Sequence, residues 1–318
     1  MPRVRDHDVT ITTSILIPAY NEAGRLQRGF DRIAPVLDDL DTSTTEVVFI
    51  DDGSSDGTMA RAYEVYGHLA HRLFIQQPIN RGKGAALRLG IGVALGDNII
   101  TADADMAIDP VHLRAMIEAL HECPVVPGSR VVGGRIRYDS TVRTAAGYFF
   151  NRLVRHYTRT ELRDTQCGFK GFQRGPARVL ALLGMVDRFA FDAELLYLAD
   201  QLDLEVRPLQ VTWHDVEGSS LRVGRDSIEM LRDMRGLKRT RYENPVVELE
   251  PDVDVTAIAD AARRARAQGL VVARGDKNAL LVLPRDGALG GLAIAETLGG
   301  SLRTAGIGEL RARRYDPV

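Results

Sequence analysis

The sequence predicts an α/β fold whose core is a doubly wound, mostly parallel sheet. Short apolar runs alternate with helix-like segments over the first 130 residues, and this β-α-β-α order is typical of such sheets. The helix-like segments repeat their apolar residues near every 3.6 positions. Polar clusters follow the carboxyl ends of several predicted strands, which is where doubly wound sheets bind their ligands.

The first five strands and the four helices between them follow from this alternation. We predict strands at 11–20 (ITTSILIPAY), 45–54 (TEVVFIDDGS), 72–77 (RLFIQQ), 97–105 (DNIITADAD) and 124–130 (PVVPGSR). We predict helices at 23–40 (AGRLQRGFDRIAPVLDDL), 56–70 (DGTMARAYEVYGHLA), 82–95 (GKGAALRLGIGVAL) and 109–122 (DPVHLRAMIEALHE). Asp56 is a suitable N-cap for the second helix, and Pro110 suits the first position of the fourth.

The pattern changes beyond residue 140. We predict a helix at 140–159, a loop and short strand at 164–174, a helix at 191–202, a strand at 204–216 and a helix at 225–242. An acidic linker with two prolines follows at 243–255, and then a helix at 255–268, a strand at 278–284 and a helix at 287–298. The chain therefore divides into residues 1–243 and residues 244–318, the latter being the acidic linker plus a small α/β appendage.

The composition is that of a globular protein and excludes several classes. Its 318 residues are 45% hydrophobic and 26% charged, enough for a sizeable core. A formal net charge of −2 gives no global attraction to nucleic acid, and two cysteines without a C-x-x-C motif favour a reducing compartment. No signal peptide and no apolar stretch of about 20 residues is found. We expect a cytoplasmic protein that meets any lipid substrate by lying on the membrane.

Three carboxylates in TADADMAIDP (101–110) suggest a divalent metal site. In an extended segment Asp103 and Asp105 point to one face, where they repel each other unless a cation lies between them. Hard oxygen ligands suit Mg²⁺ or Mn²⁺, which commonly join carboxylates to substrate phosphates. The alternative is a solvated turn in which Asp109 caps the next helix.

Two glycine-rich loops carry the other polar clusters. In DDGSSDGT (51–58), Asp52 is placed to accept a hydrogen bond from a base or a ribose hydroxyl, although an ordinary D-G turn also fits. In NRGKGAALRLG (80–90), Arg81 and Lys83 precede a helix, and cations beside free helix N–H groups attract anions. Neither the P-loop nor the dinucleotide-binding fingerprint is present. A solvated basic turn is the alternative for this second loop.

Later residues supply further cations and carboxylates. Arg130 and Arg143 suit bidentate contact with phosphate. Asp164, Asp192 and Glu194 are candidate bases, and the two-residue spacing of the last two on a helix lets at most one face a site. His214 is either a ligand or a core residue, and the core interpretation is preferred. Cys167 is interpreted as a small packed residue rather than a nucleophile, because the sequence ties no base to it.

Together these stretches resemble the family-2 glycosyltransferases, which have the nucleotide-binding GT-A fold. The matching motifs are PAYNE (18–22), VVFIDDGSSDGT (47–58), NRGKGAALR (80–88) and DADM (103–106). PGSR, DTQCGFKGF, FAFDAELLYLA and VTWHDVEGSSLRV look more like one branch, the dolichyl-phosphate β-glucosyltransferases and bacterial polyprenyl-phosphate relatives. The resemblance covers about residues 12–240. It makes residues 1–243 the catalytic domain and leaves residues 244–318 without a role.

The resemblance implies an inverting, metal-dependent transfer of a hexose, with UDP-glucose as the expected donor, GDP-mannose as the alternative and a polyprenyl or dolichyl phosphate as acceptor. It implies Mg²⁺ or Mn²⁺ at Asp103 and Asp105. The residues implied for the nucleotide-sugar are Pro18, Tyr20, Glu22, Asp52, Lys83 and Asp103. The residues implied for catalysis are Asp105, Arg130, Arg143, Asp192 and Glu194.

Three questions stay open at this point. A soluble hydroxyl acceptor would need a base such as Asp192 or Glu194, and a silent nucleotide-sugar-binding protein is the non-enzymatic alternative. Residues 222–241 carry seven basic and three acidic residues, a net +4, and form either a basic amphipathic helix for peripheral membrane contact or an ordinary surface helix. A homo-oligomer and a membrane-protein partner both remain open.

Overall fold

The fold is taken from a computed structural model that describes most of the first 214 residues. The described residues are 10–131, Arg152, Arg155, 162–184, 186–188, 190–202 and 204–214, with the backbone of 246–249, 270–273 and 279–282. Arg143 and the helices predicted at 225–242, 255–268 and 287–298 lie outside them. So does the helix predicted at 140–159, apart from Arg152 and Arg155, which are helical.

A seven-stranded, mostly parallel sheet forms the centre, as predicted. Its strands are β1 (Thr13–Ala19), β2 (Thr45–Asp51), β3 (Arg72–Gln76), β4 (Asn98–Thr101), β5 (Val125–Ser129), β6 (Lys170–Gln173) and β7 (Leu209–Gln210). Their order in space is β3-β2-β1-β4-β6-β5-β7. β6 alone runs antiparallel to its neighbours in this sheet, because it returns between β4 and β5. The carboxyl ends of β1, β2 and β4 therefore meet at one edge.

Helices cover both faces of the sheet, which confirms the doubly wound arrangement. They are α1 (Leu26–Asp39), α2 (Thr58–Tyr66), α3 (Lys83–Val93), α4 (His112–Leu120), α5 (Arg174–Leu183) and α6 (Phe191–Gln201). Alternate side chains of β1 point to opposite faces. Ile15 and Ile17 join the core beneath α1, α2 and α4, whereas Leu16 joins the core beneath α3, α5 and α6. All three side chains are fully buried.

Four local predictions need correction. The helix α5 was not predicted, and the strand expected at 204–216 is only Leu209–Gln210 with single bridges beside it. Gly57 occupies the cap of α2, while Asp56 lies one residue earlier and accepts from the Thr58 N–H at 3.1 Å. Pro110 lies two residues before α4 begins.

The strand that leads to the acidic motif also ends earlier than expected. β4 stops at Thr101, and the Met106 N–H donates to the Asp103 carbonyl at 2.9 Å with Met106 at a φ of 48°. Asp103 and Asp105 are therefore carried by a tight turn rather than by extended chain. Asp109 accepts from the Val111 N–H at 3.1 Å, but Val111 is the N-cap of α4, so Asp109 lies in the turn before the helix and does not cap it as considered.

A second, three-stranded antiparallel sheet lies in the C-terminal part. It contains β8 (Val246–Leu249), β9 (Leu270–Ala273) and β10 (Ala279–Val282) in the order β8-β10-β9. β10 confirms the strand predicted at 278–284, whereas β8 falls in the stretch predicted as an acidic linker. The division at residues 243 and 244 stays a prediction. In the described part of the chain, no helix combines the length and apolar character needed to cross a membrane.

Candidate active site

The loops that follow β1 and β2 are joined by hydrogen bonds between side chains and backbone. Asn21 has a φ of 54°, a left-handed conformation that asparagine tolerates better than most residues. Its N–H donates to Ser54 Oγ at 2.9 Å, and its Oδ1 accepts from the Ser55 N–H at 3.0 Å. The Glu22 N–H donates to Thr58 Oγ1 at 2.8 Å. The two motifs PAYNE and DDGSSDGT thus form one wall of the site.

Asp52 is buried within this wall and holds the neighbouring loop. Its Oδ1 accepts from Gln77 Nε2 and the Arg81 N–H, each at 2.8 Å. Its Oδ2 accepts from Asn80 Nδ2 at 3.0 Å and the Gly82 N–H at 2.7 Å. Four donors satisfy both oxygens of a carboxylate. Direct contact of Asp52 with a nucleoside stays a prediction, and this geometry favours an indirect role in which Asp52 shapes the loop that leads to Lys83.

Lys83 starts α3 and points at the acidic turn. Its Nζ lies 2.7 Å from Asp103 Oδ1 and 3.4 Å from Asp192 Oδ2. Burial of the ammonium acts to lower the pKa of Lys83, but the charges of Asp103 and Asp192 outweigh it and raise the pKa above its ordinary value. The lysine therefore stays charged. The basic partner that the sequence does not place beside Asp103 comes from a loop 20 positions earlier in the chain.

Lys170 forms the buried end of a chain of ion pairs behind the turn. Its side chain is 1% exposed and donates to the Cys167 carbonyl and, at 2.6 Å, to Asp192 Oδ1. Asp192 therefore lies between two ammonium groups, with its two oxygens facing different lysines. Gly168 lies against the same cluster, since a Cβ there would overlap the Asp103 carboxylate and crowd Lys83 Nζ. Sequence reasoning did not single out Gly168, and its place in a loop gave no signal.

Asp105 and Glu22 add two further carboxyl groups beside Asp103. Burial raises the pKa of Asp105, and the charge of Asp103 raises it further. Burial raises the pKa of Glu22 to about 7, with Arg25 opposing and Asp105 and Asp103 adding to the rise. Arg25 contacts Glu22 Oε1 at 2.5 Å, whereas the buried Glu22 Oε2 has no hydrogen-bond partner. Carboxylates that repel one another in this way fit a divalent cation.

No three carboxylate, imidazole or thiolate groups converge on one point in the residues that the structure describes. Asp103 and Asp105 supply the hard oxygen ligands that Mg²⁺ and Mn²⁺ accept. Such ions bind through one or two carboxylates plus substrate phosphates, so a two-carboxylate site agrees with a metal that arrives with its nucleotide.

Arg130 is fixed by a buried carboxylate at the end of β5. Its Nε and Nη2 donate to the two oxygens of Asp164 at 2.8 and 2.9 Å, and its backbone N–H donates to Asp164 Oδ2 at 3.0 Å. Burial acts to raise the pKa of Asp103, but the charges of Lys83, of Lys170 and, to a smaller extent, of Arg130 hold it below its ordinary value. The predicted role of Arg130 toward a phosphate is not tested by these contacts, and Arg143 lies outside the described residues.

The structure separates the two acids of FDAE as their spacing predicted. Asp192 faces the lysines, while Glu194 is completely buried and its Oε2 accepts from the Val186 N–H at 3.0 Å. The expected catalytic role of Glu194 therefore has no geometric support, because the side chain anchors the loop after α5. Pro18 is buried within β1, and Tyr20 is 44% exposed beside the Asn21 turn.

The interpretation as a packed residue holds for Cys167 and fails for His214. Cys167 is fully buried, and burial raises the pKa of its thiol to about 11. His214 is exposed, so the core interpretation of that residue is wrong. Its backbone N–H donates to the Ala107 carbonyl at 2.9 Å, which ties the strand-like segment around Trp213 to the acidic turn.

The family model described as Glycosyl transferase family 2 matches residues 14–180, more than half of the chain and most of the site. The chain belongs to glycosyl transferase family 2. It is a glycosyltransferase, as the motifs implied, and its relatives agree. A dolichyl-phosphate β-glucosyltransferase of Drosophila melanogaster is 35% identical over 240 residues, 71% of this chain and 74% of the relative. The Homo sapiens protein of the same name is 33% identical over 253 residues, covering 74% and 78%.

Solved structures confirm the GT-A fold of this family 2 glycosyltransferase. Glucosyl-3-phosphoglycerate synthase from Mycobacterium tuberculosis, in complex with Mn²⁺, UDP and glucosyl-3-phosphoglycerate, gives a TM-score of 0.52 at 19% identity. That alignment covers 75% of this chain and 85% of the synthase. A complex of the same enzyme with Mg²⁺ and UDP gives 0.51 at 19% identity, covering 79% and 90%. At this identity the likeness concerns the fold.

Proposed function

We propose that this glycosyltransferase moves glucose from UDP-glucose to a dolichyl or other polyprenyl phosphate. The observation that carries the proposal is the similarity to dolichyl-phosphate β-glucosyltransferases, at 35% identity over 240 residues in the Drosophila melanogaster relative. That span is 71% of the chain, so the similarity includes the central sheet and its loops. The buried charge cluster at the ends of β4 and α3 agrees with a donor that carries a diphosphate.

The donor side is built from the loops after β1, β2 and β4. Pro18, Tyr20 and Glu22 would line the nucleoside pocket, and Lys83 would face the diphosphate. Asp103 and Asp105 would hold Mg²⁺ or Mn²⁺, which supplies positive charge to the departing diphosphate. Lys83 would add a second positive charge, because its two carboxylate partners keep the ammonium group protonated. Positive charges placed at the leaving diphosphate would stabilise the negative charge that develops there.

For a phosphate acceptor, the main task of the protein is to hold the attacking oxygen in position. A phosphate oxygen of the lipid forms the new bond to the anomeric carbon while the bond from that carbon to the UDP oxygen breaks. Attack on the face opposite to UDP inverts the anomeric configuration. The attacking phosphate is already largely ionised near neutral pH, because its second pKa is about 6. No general base is required, which agrees with Asp192 being enclosed by Lys83 and Lys170.

A transfer assay tests the proposal directly. Purified protein is given radiolabelled UDP-glucose, or separately GDP-mannose, with a polyprenyl phosphate and Mg²⁺ or Mn²⁺, and label is followed into the organic phase. We expect labelled lipid from UDP-glucose, and its loss on chelation of the metal. Lipid labelled only from GDP-mannose would overturn the donor. Slow metal-dependent hydrolysis of UDP-glucose without labelled lipid would overturn the acceptor and direct the search to soluble hydroxyl compounds.

A further inference from the structure

Four charged side chains form a continuous chain of ion pairs that runs from the buried Lys170 and Asp192, through the partly buried Lys83, to Asp103 in the acidic turn, whose side chain is 43% exposed. Lys170 contacts Asp192 at 2.6 Å, Asp192 contacts Lys83 at 3.4 Å, and Lys83 contacts Asp103 at 2.7 Å. The two positive and two negative charges sum to zero. Each comes from a different element or loop: β6, the first turn of α6, the start of α3 and the loop after β4.

We infer that Asp192 is a positioning residue that holds Lys83 at the donor diphosphate, and that Lys170 is the buried counter-ion that fixes Asp192. The inference rests on the donor site proposed above, since it assigns Lys83 to the diphosphate. It removes Asp192 from the candidate bases, because both of its oxygens already accept from ammonium groups.

Lys83 needs Asp192 as a second carboxylate because a metal ion bound at Asp103 would weaken the ion pair between Asp103 and Lys83. Without a cation, Lys83 neutralises Asp103 at 2.7 Å. With a divalent cation held by Asp103 and Asp105, the charge of Asp103 would be neutralised by that ion, and the Lys83 ammonium would be repelled from it. Asp192 is then the carboxylate that keeps Lys83 beside the turn rather than letting it swing into solvent.

The alternative is that Asp192 exists only to neutralise buried Lys170. The two roles are separated by the variants Asp192→Asn and Lys170→Met with Asp192→Asn. The single variant leaves Lys170 buried without its carboxylate, which is strongly destabilising. The double variant removes both buried charges, and replacing a buried ion pair in this way is often neutral for stability. The double variant also keeps the net charge of the cluster at zero, so any defect that remains reflects position.

The measurement is calorimetric binding of UDP in the presence of Mn²⁺, with thermal unfolding recorded for every variant. We expect a lower melting temperature in the single variant and its recovery in the double. We expect binding of UDP to be weaker in both by about 10–100-fold, the usual effect of losing an outer-shell partner. Asp97→Asn is the matched control, since it breaks an exposed pair with Arg174 at the opposite edge and should bind UDP normally.

A second test measures the effect of Asp192→Asn on UDP binding with and without Lys83. This test does not depend on how well the Lys170→Met, Asp192→Asn double variant folds. In a Lys83→Met background, Asp192→Asn should weaken UDP binding no further. The inference is overturned if the double variant binds UDP and Mn²⁺ as the wild type does, or if the Asp192 effect persists in full without Lys83. Failure of the wild type to bind UDP with Mn²⁺ would instead overturn the proposed donor site, and the inference with it.

Discussion

The pair formed by Arg130 and Asp164 allows a quantitative prediction for stability. The Asp164 side chain is fully buried, the Arg130 side chain is 12% exposed, and three donors of Arg130 contact the carboxylate at 2.8–3.0 Å. Removing one partner of such a pair leaves an uncompensated buried charge and costs about 3–5 kcal/mol. Asp164→Ala should therefore lower the free energy of unfolding by about that amount.

Urea unfolding followed by tryptophan fluorescence measures this loss. Trp213 is the only tryptophan of the sequence and bridges to Ile108 beside the acidic turn, so its signal reports on this part of the sheet edge. Asp97→Ala is the control, because exposed pairs contribute about 0–1 kcal/mol. The double variant Arg130→Ala with Asp164→Ala should lose less than the sum of the two single variants. A loss below about 1 kcal/mol for Asp164→Ala would refute the reasoning.

The same pair predicts how stability depends on pH. Burial alone would raise the pKa of Asp164, but the hydrogen bonds and charge of Arg130 hold it below its ordinary value. A carboxylate with a lowered folded-state pKa stabilises the fold above its unfolded pKa, near 4, and this stability is lost as the pH falls through the folded value. Asp164→Ala should therefore flatten the acid limb of the stability profile. An unchanged limb would contradict this assignment.

Three further predictions concern the acidic turn. Glu22→Gln should raise stability by about 1–3 kcal/mol at pH 8 but little near pH 5, because a carboxylate pKa raised to about 7 destabilises the fold once the group ionises; equal melting shifts at both pH values would contradict this. Gly168→Ala should weaken UDP binding with Mn²⁺ about tenfold, because the added Cβ would overlap the Asp103 carboxylate. Gly92→Ala is the control, because a Cβ there meets no other atom. Equal UDP affinities of the two variants in calorimetry would show that the space at Gly168 does not matter for binding. Asp105→Ala should abolish metal-dependent transfer while leaving the fold intact, as circular dichroism would check, and near-normal turnover would show that the metal assignment is wrong.

Local periodicity was sufficient for the first half of the fold. Strands β1 to β5 and helices α1 to α4 form within segments of the predicted type, because each buries a face that its own residues define. β6 depends on its pairing with β4 and β5, which lie far away in the chain. The short sequences of β6 and α5 do not specify that the strand turns back antiparallel or that RGPARVLALL is a helix.

The positions of the acidic residues of the site could be predicted from the sequence, but their ion-pair partners could not. The carboxyl ends of parallel strands meet at one edge, so Asp103 and Asp105 could be placed there from the motif alone. That Lys83 neutralises Asp103, and that Asp192 faces two lysines, depends on α3, α6 and β6 packing together. The saturation of Asp52 likewise depends on how residues 77–82 fold back over it.

The contact of Arg130 with Asp164 also closes a loop. The two residues are 34 positions apart, so the chain departs from the edge of the sheet and returns to the same point. The entropy of closing a loop grows only with the logarithm of its length, so about a doubling of the intervening segment would cost roughly 0.6 kcal/mol. Residues 131–163 therefore connect two ends that the Arg130–Asp164 pair holds together. A change in the length of that connection should cost little stability and leave Lys83, Asp103 and Asp192 in their positions.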